Sequence, residues 1–324
     1  MKNMRIALVP LIALLAGPAQ AAFQIHQDSV RATALGNAFM ASADEAAGLF
    51  SNPAGLAKLK VGEVSFMYAK PYAGLADVNF NLGHAALALP TALGTLGAGA
   101  SMFQASGLMQ ERTLALSYSV NIAQNLQAGV TAKQLSHSFL IGSDPSAAND
   151  PVFAHGAAKS AMAFDAGLIA PLNKTLSFGL AARNINTPNV GLLTEDKVQR
   201  EIQAGFALNM TGLGLKASGD LFLRSAAQGT PKSSPAPLFG LEKSLSNSFA
   251  LRVGANPDGF SGGFGFRKGN IGVDYAVSFS RNLLSDNLGD QRISLTYRFA
   301  HQTQPVKQAK ANSQARNLMS MRSR

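Results

Sequence analysis

The sequence predicts an all-β protein: a transmembrane antiparallel β-barrel of about fourteen strands with a small N-terminal helical plug. Three observations carry that prediction. The chain opens on an export signal, the segments beyond residue 60 alternate apolar and polar side chains, and the connections between them are by turns short and long.

In the first segment, Lys2 and Arg5 form a charged leader, residues 6–17 are apolar apart from Pro10, and Ala19-Gln20-Ala21 supplies small residues for cleavage. The apolar run is too short to span a bilayer as a helix, so the mature chain is expected to start near Ala22, outside the cytoplasm. The expected organisation is a signal peptide over 1–21, a plug over 22–60, a barrel over 61–300 and a disordered basic tail over 301–324.

Composition agrees. Charged residues make up 14% of the chain, against about 25% in soluble proteins. Cysteine is absent, so an exported chain must hold itself together by hydrogen bonds and packing, as a closed barrel does. The net charge of +10 does not mark a nucleic-acid binder. Lys2 and Arg5 leave with the signal, and Lys307, Lys310, Arg316, Arg322 and Arg324 crowd an acid-free tail, leaving about +3 on the body. Contact of that tail with anionic lipid is the alternative to simple solvation, and no nucleic acid is expected as a partner.

The alternation is clear in three places. Leu114, Leu116, Tyr118 and Val120 oppose Thr113, Ala115, Ser117 and Ser119. Ile271, Val273, Tyr275, Val277 and Phe279 oppose Gly272, Asp274, Ala276, Ser278 and Ser280, and Ile293, Leu295, Tyr297 and Phe299 oppose Arg292, Ser294, Thr296 and Arg298. Segments of about nine or ten residues are the length that crosses an outer membrane at a tilt. Tight turns near 121–125, 172–174, 210–212, 245–247 and 268–270 would face the periplasm, and longer loops at 142–159, 184–198, 225–235 and 281–290 the outside. Residues 85–102 are the longest apolar stretch, but Pro90, Gly94, Gly97 and Gly99 argue for two strands joined near Pro90-Thr91. With no Trp and few Tyr, Phe must supply the aromatic girdles.

Residues 22–60 do not alternate. Ser42 and Glu45 have capping-box spacing ahead of a short helix over 46–50, and Asn52-Pro53-Ala54-Gly55 stops it. A small helical piece ahead of a barrel either plugs the lumen or caps its periplasmic mouth.

The runs Ala34-Leu35-Gly36-Asn37-Ala38-Phe39, Ala43-Asp44-Glu45-Ala46 and Asn52-Pro53-Ala54-Gly55-Leu56-Ala57 resemble the N-terminal signature of PorV/PorQ-type outer-membrane proteins, which belong with the FadL-like (long-chain fatty acid transporter) barrels. The likeness continues through residues 176–184, 251–254 and 293–299. It implies a fourteen-stranded barrel with an N-terminal hatch. FadL-like barrels move hydrophobic molecules inward, whereas PorV-type members serve protein secretion. Phe299 resembles the terminal aromatic of such barrels, and the chain departs from them by continuing beyond it.

Candidate chemistry is sparse. Gly259-Phe260-Ser261-Gly262-Gly263 fits the nucleophile-elbow pattern, but residues 264–267 continue as strand where an elbow needs a helix. The five histidines are scattered with no metal-ligand spacing, and no cofactor is implied. Lys133, Asp165, Arg183, Lys216, Asp220, Arg224, Arg252, Asp274, Arg292 and Arg298 fall on the predicted inner face, with both signs interspersed, so ion pairs across the lumen are expected. The plug residues Asp44, Asn52, Pro53, Ala54 and Gly55 are the candidate site, either as caps and turns of the plug backbone or as ligand-gating contacts. The sequence points to uptake of hydrophobic small molecules through the outer membrane, with a secretion-pathway component as the alternative. A barrel lipid hydrolase is a distant third. The expected partners are outer-membrane lipid and either a hydrophobic small molecule or a secretion-pathway protein.

Overall fold

The computed structural model describes residues 22–23, 29–74, 79–141, 149–226, 234–281 and 288–299. The expected signal peptide and basic tail lie outside the described residues. Fourteen strands follow one another around a closed barrel. They are β1 (Gly62–Lys70), β2 (Phe80–Thr91), β3 (Gly94–Ala105), β4 (Met109–Ala123), β5 (Leu126–Phe139), β6 (Ala158–Pro171) and β7 (Leu176–Arg183). The second half comprises β8 (Glu201–Met210), β9 (Leu215–Arg224), β10 (Ala236–Ser244), β11 (Phe249–Asn256), β12 (Gly259–Lys268), β13 (Ile271–Ser280) and β14 (Asp290–Phe299).

Every neighbour is antiparallel, and β1 closes on β14 in a register running from Gly62 opposite Phe299 to Lys70 opposite Gln291. Closure leaves no strand edge whose N–H and C=O groups would have to be solvated in hydrocarbon.

The period-two pattern sorts the two faces as expected. Phe66, Leu114, Leu116, Phe178, Leu241, Phe264, Ile293 and Leu295 point outward and are exposed, as a surface bathed in lipid must be. Phe66, Phe164, Phe206, Phe239, Phe260, Phe266 and Phe279 supply most of the outward aromatics, joined by Tyr68, Tyr118 and Tyr297.

The connections follow the predicted alternation with two exceptions. Residues 106–108 and 257–258 join strands at the long-loop end by tight turns. Gly107 supplies a positive φ of 78° in the first. In the second, Asn256 Oδ1 accepts from the N–H groups of Asp258 and Gly259, both at 3.0 Å.

The turn expected at Pro90-Thr91 sits two residues later. Pro90 stays in β2 opposite Thr95, and Thr91 Oγ1 closes the turn by donating to Gly94 O (2.6 Å) and accepting from Leu93 N–H (3.3 Å).

The plug threads the lumen. It consists of the helix α1 (Val30–Ala34), capped by Ser29, and two 3₁₀ turns at Ala46–Phe50 and Pro53–Lys58. The α1 helix lies against β11, β12 and β13, while the 3₁₀ turns lie against β1 to β6. Leu35, Phe39, Met40, Leu49, Leu56 and Asn52 are fully enclosed.

The capping box does not form. Glu45 makes no side-chain cap bond to its turn, and Ser42 Oγ lies 3.4 Å from Ser218 Oγ of β9 instead. A contact with the wall thus replaces a local cap, and the segment settles as 3₁₀ turns rather than an α-helix.

Candidate functional site

Asn52, Pro53, Ala54 and Gly55 seat the plug on one side of the barrel. Asn52 has no exposed surface. Its Nδ2 donates to Met40 O within the plug (2.8 Å) and to Leu168 O of β6 (3.3 Å), while its Oδ1 accepts from Ala54 N–H (3.2 Å). It therefore caps the second 3₁₀ turn and ties it to the wall.

The wall makes room for it. A Cβ on Gly129 (β5) would run into the Pro53 and Ala54 backbone, and one on Gly167 (β6) into the Asn52 side chain. Gly179 on β7 faces Met40 O in the same way, and Gly254 on β11 faces the backbone of Leu35 and Gly36. Glycine is needed at these places for close approach of two backbones. Gly55 itself packs against Ala43 so tightly that a side chain would collide with it.

Polar wall residues complete the seat. Asp220 Oδ2 accepts from Phe39 N–H (2.8 Å), Met40 N–H (2.9 Å) and Gln203 Nε2 (2.8 Å). Gln203 also donates to Asn37 O (2.8 Å), and Glu63 Oε1 accepts from Ala46 N–H (2.7 Å). Ser119 Oγ accepts from Ala57 N–H (3.1 Å) and donates to Ala54 O (3.2 Å). Ser261, the serine of the elbow-like pattern, accepts from Gly36 N–H (3.0 Å) and donates to Ala34 O (3.2 Å). It lies within β12, near its start, and holds the plug. These partners satisfy plug backbone groups that would otherwise be stranded away from water.

Asp44 lies elsewhere, at the short-turn mouth. It pairs with Arg31 (2.5 Å), which also bonds Glu242 of β10 (2.9 Å). Glu242 in turn receives Arg252 (2.7 Å), which reaches Asp274 (2.6 Å). Partial burial pushes the Asp44 carboxyl up, but Arg31, with Lys216 and Lys58, outweighs it and holds the group at about 2. Glu45 is pushed up to about 7 by burial, against the pull of Arg31. Burial draws Lys58 down to about 8, with Asp44 opposing; its Nζ donates to Ala41 O (2.9 Å). These groups line a cavity of about 530 Å³ together with Lys60, Arg267 and Arg298.

The ten polar residues expected on the inner face all point there, and most pair as expected. Lys133 meets Asp165 (2.8 Å), Arg183 and Arg224 share Glu201 (2.9 and 2.7 Å), Arg292 meets Asp290 (2.6 Å) and Arg298 meets Glu63 (2.7 Å). Asp220 serves plug N–H groups instead of a cation.

Toward the long loops the inner wall turns apolar. Ala69, Leu82, Phe103 and Ala105 form a cluster with Val30 and Ala34 of α1, Met67 and Ala276, and Phe80 and Met109 pack against it. Sequence reasoning missed Arg31, Glu63, Glu201, Glu242 and this apolar wall. The lone arginine in an Ala-rich plug was the available signal for the first. The apolar wall shows only as inward positions Leu82 and Phe103, where neighbouring strands carry polar groups.

The fold is similar to that of several solved hydrocarbon transporters and channels. The chain is similar to the Ralstonia pickettii toluene transporter TbuX, with a TM-score of 0.60 at 12% identity over 86% of this chain and 100% of that one. The monoaromatic hydrocarbon channel CymD matches with a TM-score of 0.62 at 14% identity, again over 86% and 100%. The P. putida toluene transporter TodX matches with 0.60 at 13% identity over the same shares. At such identities the likeness shows the fold. No curated protein matches the sequence. Residues 46–298 match the family described as type IX secretion system membrane protein PorP/SprF, and the PorV/PorQ-type, FadL-like kinship read from the plug motifs fits it. The chain belongs to the PorP/SprF family and is a fourteen-stranded β-barrel of the bacterial outer membrane.

Proposed function

We propose that the protein is a plugged outer-membrane channel for uptake of hydrophobic small molecules. The apolar wall at the outer half of the lumen carries this reading, with Leu82 and Phe103 enclosed and Phe80 and Met109 beside them. Barrels that pass polar solutes have a polar interior. An apolar inner wall covered by the plug helix gives a greasy solute a surface to occupy as the plug yields. Toluene and monoaromatic hydrocarbons, named for barrels of the same fold, are a solute class of matching chemistry. In this reading residues 1–21 direct export. Asn52, Pro53, Ala54 and Gly55 anchor the plug, and Asp44 belongs to the charged edge that can loosen it.

The experiment is uptake of radiolabelled toluene by cells with the wild-type barrel, cells lacking it, and cells carrying Phe103→Glu. Wild-type cells should take up toluene faster than cells lacking the barrel, and Phe103→Glu should abolish the difference. Equal uptake with and without the barrel sinks the reading.

The second reading, a secretion component, rests on the description of the family. It predicts a stoichiometric protein partner in native mass spectrometry of gently extracted outer membranes, where the channel predicts a retained hydrophobic molecule. We assign no catalysis to Ser261, whose hydroxyl is committed to plug backbone on both sides.

A further inference from the structure

Glu111 lies on the inner face of β4, between Phe103 of β3 and His137 of β5. It is buried, with 7% of its surface exposed. Among the described residues no cation pairs with it, whereas the buried carboxylates Glu63, Glu201, Glu242 and Asp165 each have a Lys or Arg partner and Asp220 is held by plug N–H groups. Asp196, on the connection between β7 and β8, adds further negative charge to its surroundings. The bond Glu111 does make is unusual in its origin. Its Oε1 accepts from the backbone N–H of Phe23, 88 positions away, at 2.8 Å.

Phe23 and Ala22 are held there by packing. Both lie against a cluster of Leu135, Ala163, Val190 and Val198, and the Phe23 ring stands edge-on to His137 with centroids 6.4 Å apart. Ala22 is also the residue that cleavage after Ala19-Gln20-Ala21 would leave first.

We propose that Glu111 is the receptor for the chain's own processed N-terminus, the Ala22 α-ammonium pairing with its carboxylate inside the lumen. This rests on the reading of residues 1–21 as a cleaved signal, and it is independent of which solute the barrel carries. Before cleavage the Ala22 nitrogen is a neutral peptide amide. Hydrolysis of the Ala21–Ala22 bond turns it into a cation one residue upstream of an N–H that already bonds the carboxylate. The pair supplies a countercharge to a buried carboxylate that has none among the described residues. It also pins the leading residues across the outer half of the barrel, so that export processing completes the interior.

The test uses full-length protein extracted from outer membranes in detergent. Intact mass and N-terminal sequencing should give Ala22 as the first residue; a different mature terminus overturns the proposal. The amine is then acetylated with a limiting activated ester near pH 7, where an α-amine (pKa about 7.7–8.0) outreacts lysine (about 10.4). Native protein should label at Ala22 at least about tenfold more slowly than protein unfolded by heat and detergent. Glu111→Gln should restore fast labelling while the protein still migrates as a folded, heat-modifiable barrel.

The pH profile of labelling separates pairing from mere enclosure. In the wild type the apparent amine pKa should lie above its ordinary range and in Glu111→Gln it should fall, with Asp196→Asn and His137→Gln controlling for the other titratable neighbours. Should Glu111→Gln fail to fold, the wild-type comparison stands alone: equal native and unfolded labelling, or an unshifted amine, rules the ion pair out.

Discussion

The plug meets the barrel wall in two different ways, and the contrast explains how one small segment can be both fixed and yielding. Against β5, β6 and β7 the contact is neutral and close, backbone on backbone across Gly129, Gly167 and Gly179, with Asn52 enclosed at the centre. Against β10, β11 and β13 close backbone contact at Gly240 and Gly254 is joined by an ionic cluster open to the mouth, with Arg31, Asp44, Glu242, Arg252 and Asp274 around a cavity of about 530 Å³. The first contact depends on shape and is indifferent to pH. The second depends on charge, so protons and salt reach it. A plug that loosens by stages would let go at the ionic edge and hinge on the glycine side.

The largest test of that division is Gly129→Val. The new side chain meets main chain, which cannot swing aside, and overpacking of this kind costs about 3 kcal/mol. Unfolding in urea should show that loss, and planar-bilayer recordings should show higher conductance if the plug is expelled rather than the barrel broken.

Arg31→Met attacks the other edge. Removing one partner of a buried ion pair commonly costs about 3–5 kcal/mol, but Glu242 keeps Arg252 and Asp44 is over one-third exposed, so about 2 kcal/mol is expected. Its mark should be conductance that becomes sensitive to salt while the barrel stays heat-modifiable. If Gly129→Val and Arg31→Met respond alike to salt, the two-edge picture fails.

The pH dependence is set by the same edge. Asp44, held at about 2, contributes stability above its unfolded value near 3.8 that is lost as pH falls toward 2. Glu45, raised to about 7, acts in the opposite sense: the fold favours its protonated form, so stability drops as pH rises from about 4.5 through 7. The midpoint of thermal unfolding should therefore be a few degrees higher at pH 5 than at pH 7.5, and Glu45→Gln should flatten that slope. An unchanged slope would locate the sensitivity elsewhere.

The smallest effect is expected from Ser261→Ala. It removes two hydrogen bonds to α1 and its following turn and should cost about 1 kcal/mol in urea titration.

Much of this was legible from residue order. Period-two alternation placed Leu114 and Ile293 in lipid and Arg252 and Asp274 in the lumen, because side-chain direction in a strand follows from position alone. The strand number followed from counting alternating segments between turns. The plug was legible as a segment that does not alternate, and its Asn-Pro-Ala-Gly run as a place where the chain turns.

Other features were hidden because they are non-local. Ser42 and Glu45 have the spacing of a local cap, yet a wall serine and the enclosing lumen decide their fate. The glycines of β5, β6 and β7 read as weak spots in strands until a second backbone is laid across them. The partners Glu63, Glu201 and Glu242 are fixed by the tilt and register of a closed sheet, and Phe23 meets Glu111 across 88 positions.

Residue order is enough for the barrel, the facing of each strand and the existence of a plug, since each depends on periodicity and composition over a few neighbouring residues. Where the plug sits, which charges meet and where the lumen turns apolar follow from closure of the barrel, because those depend on which distant segments it brings face to face.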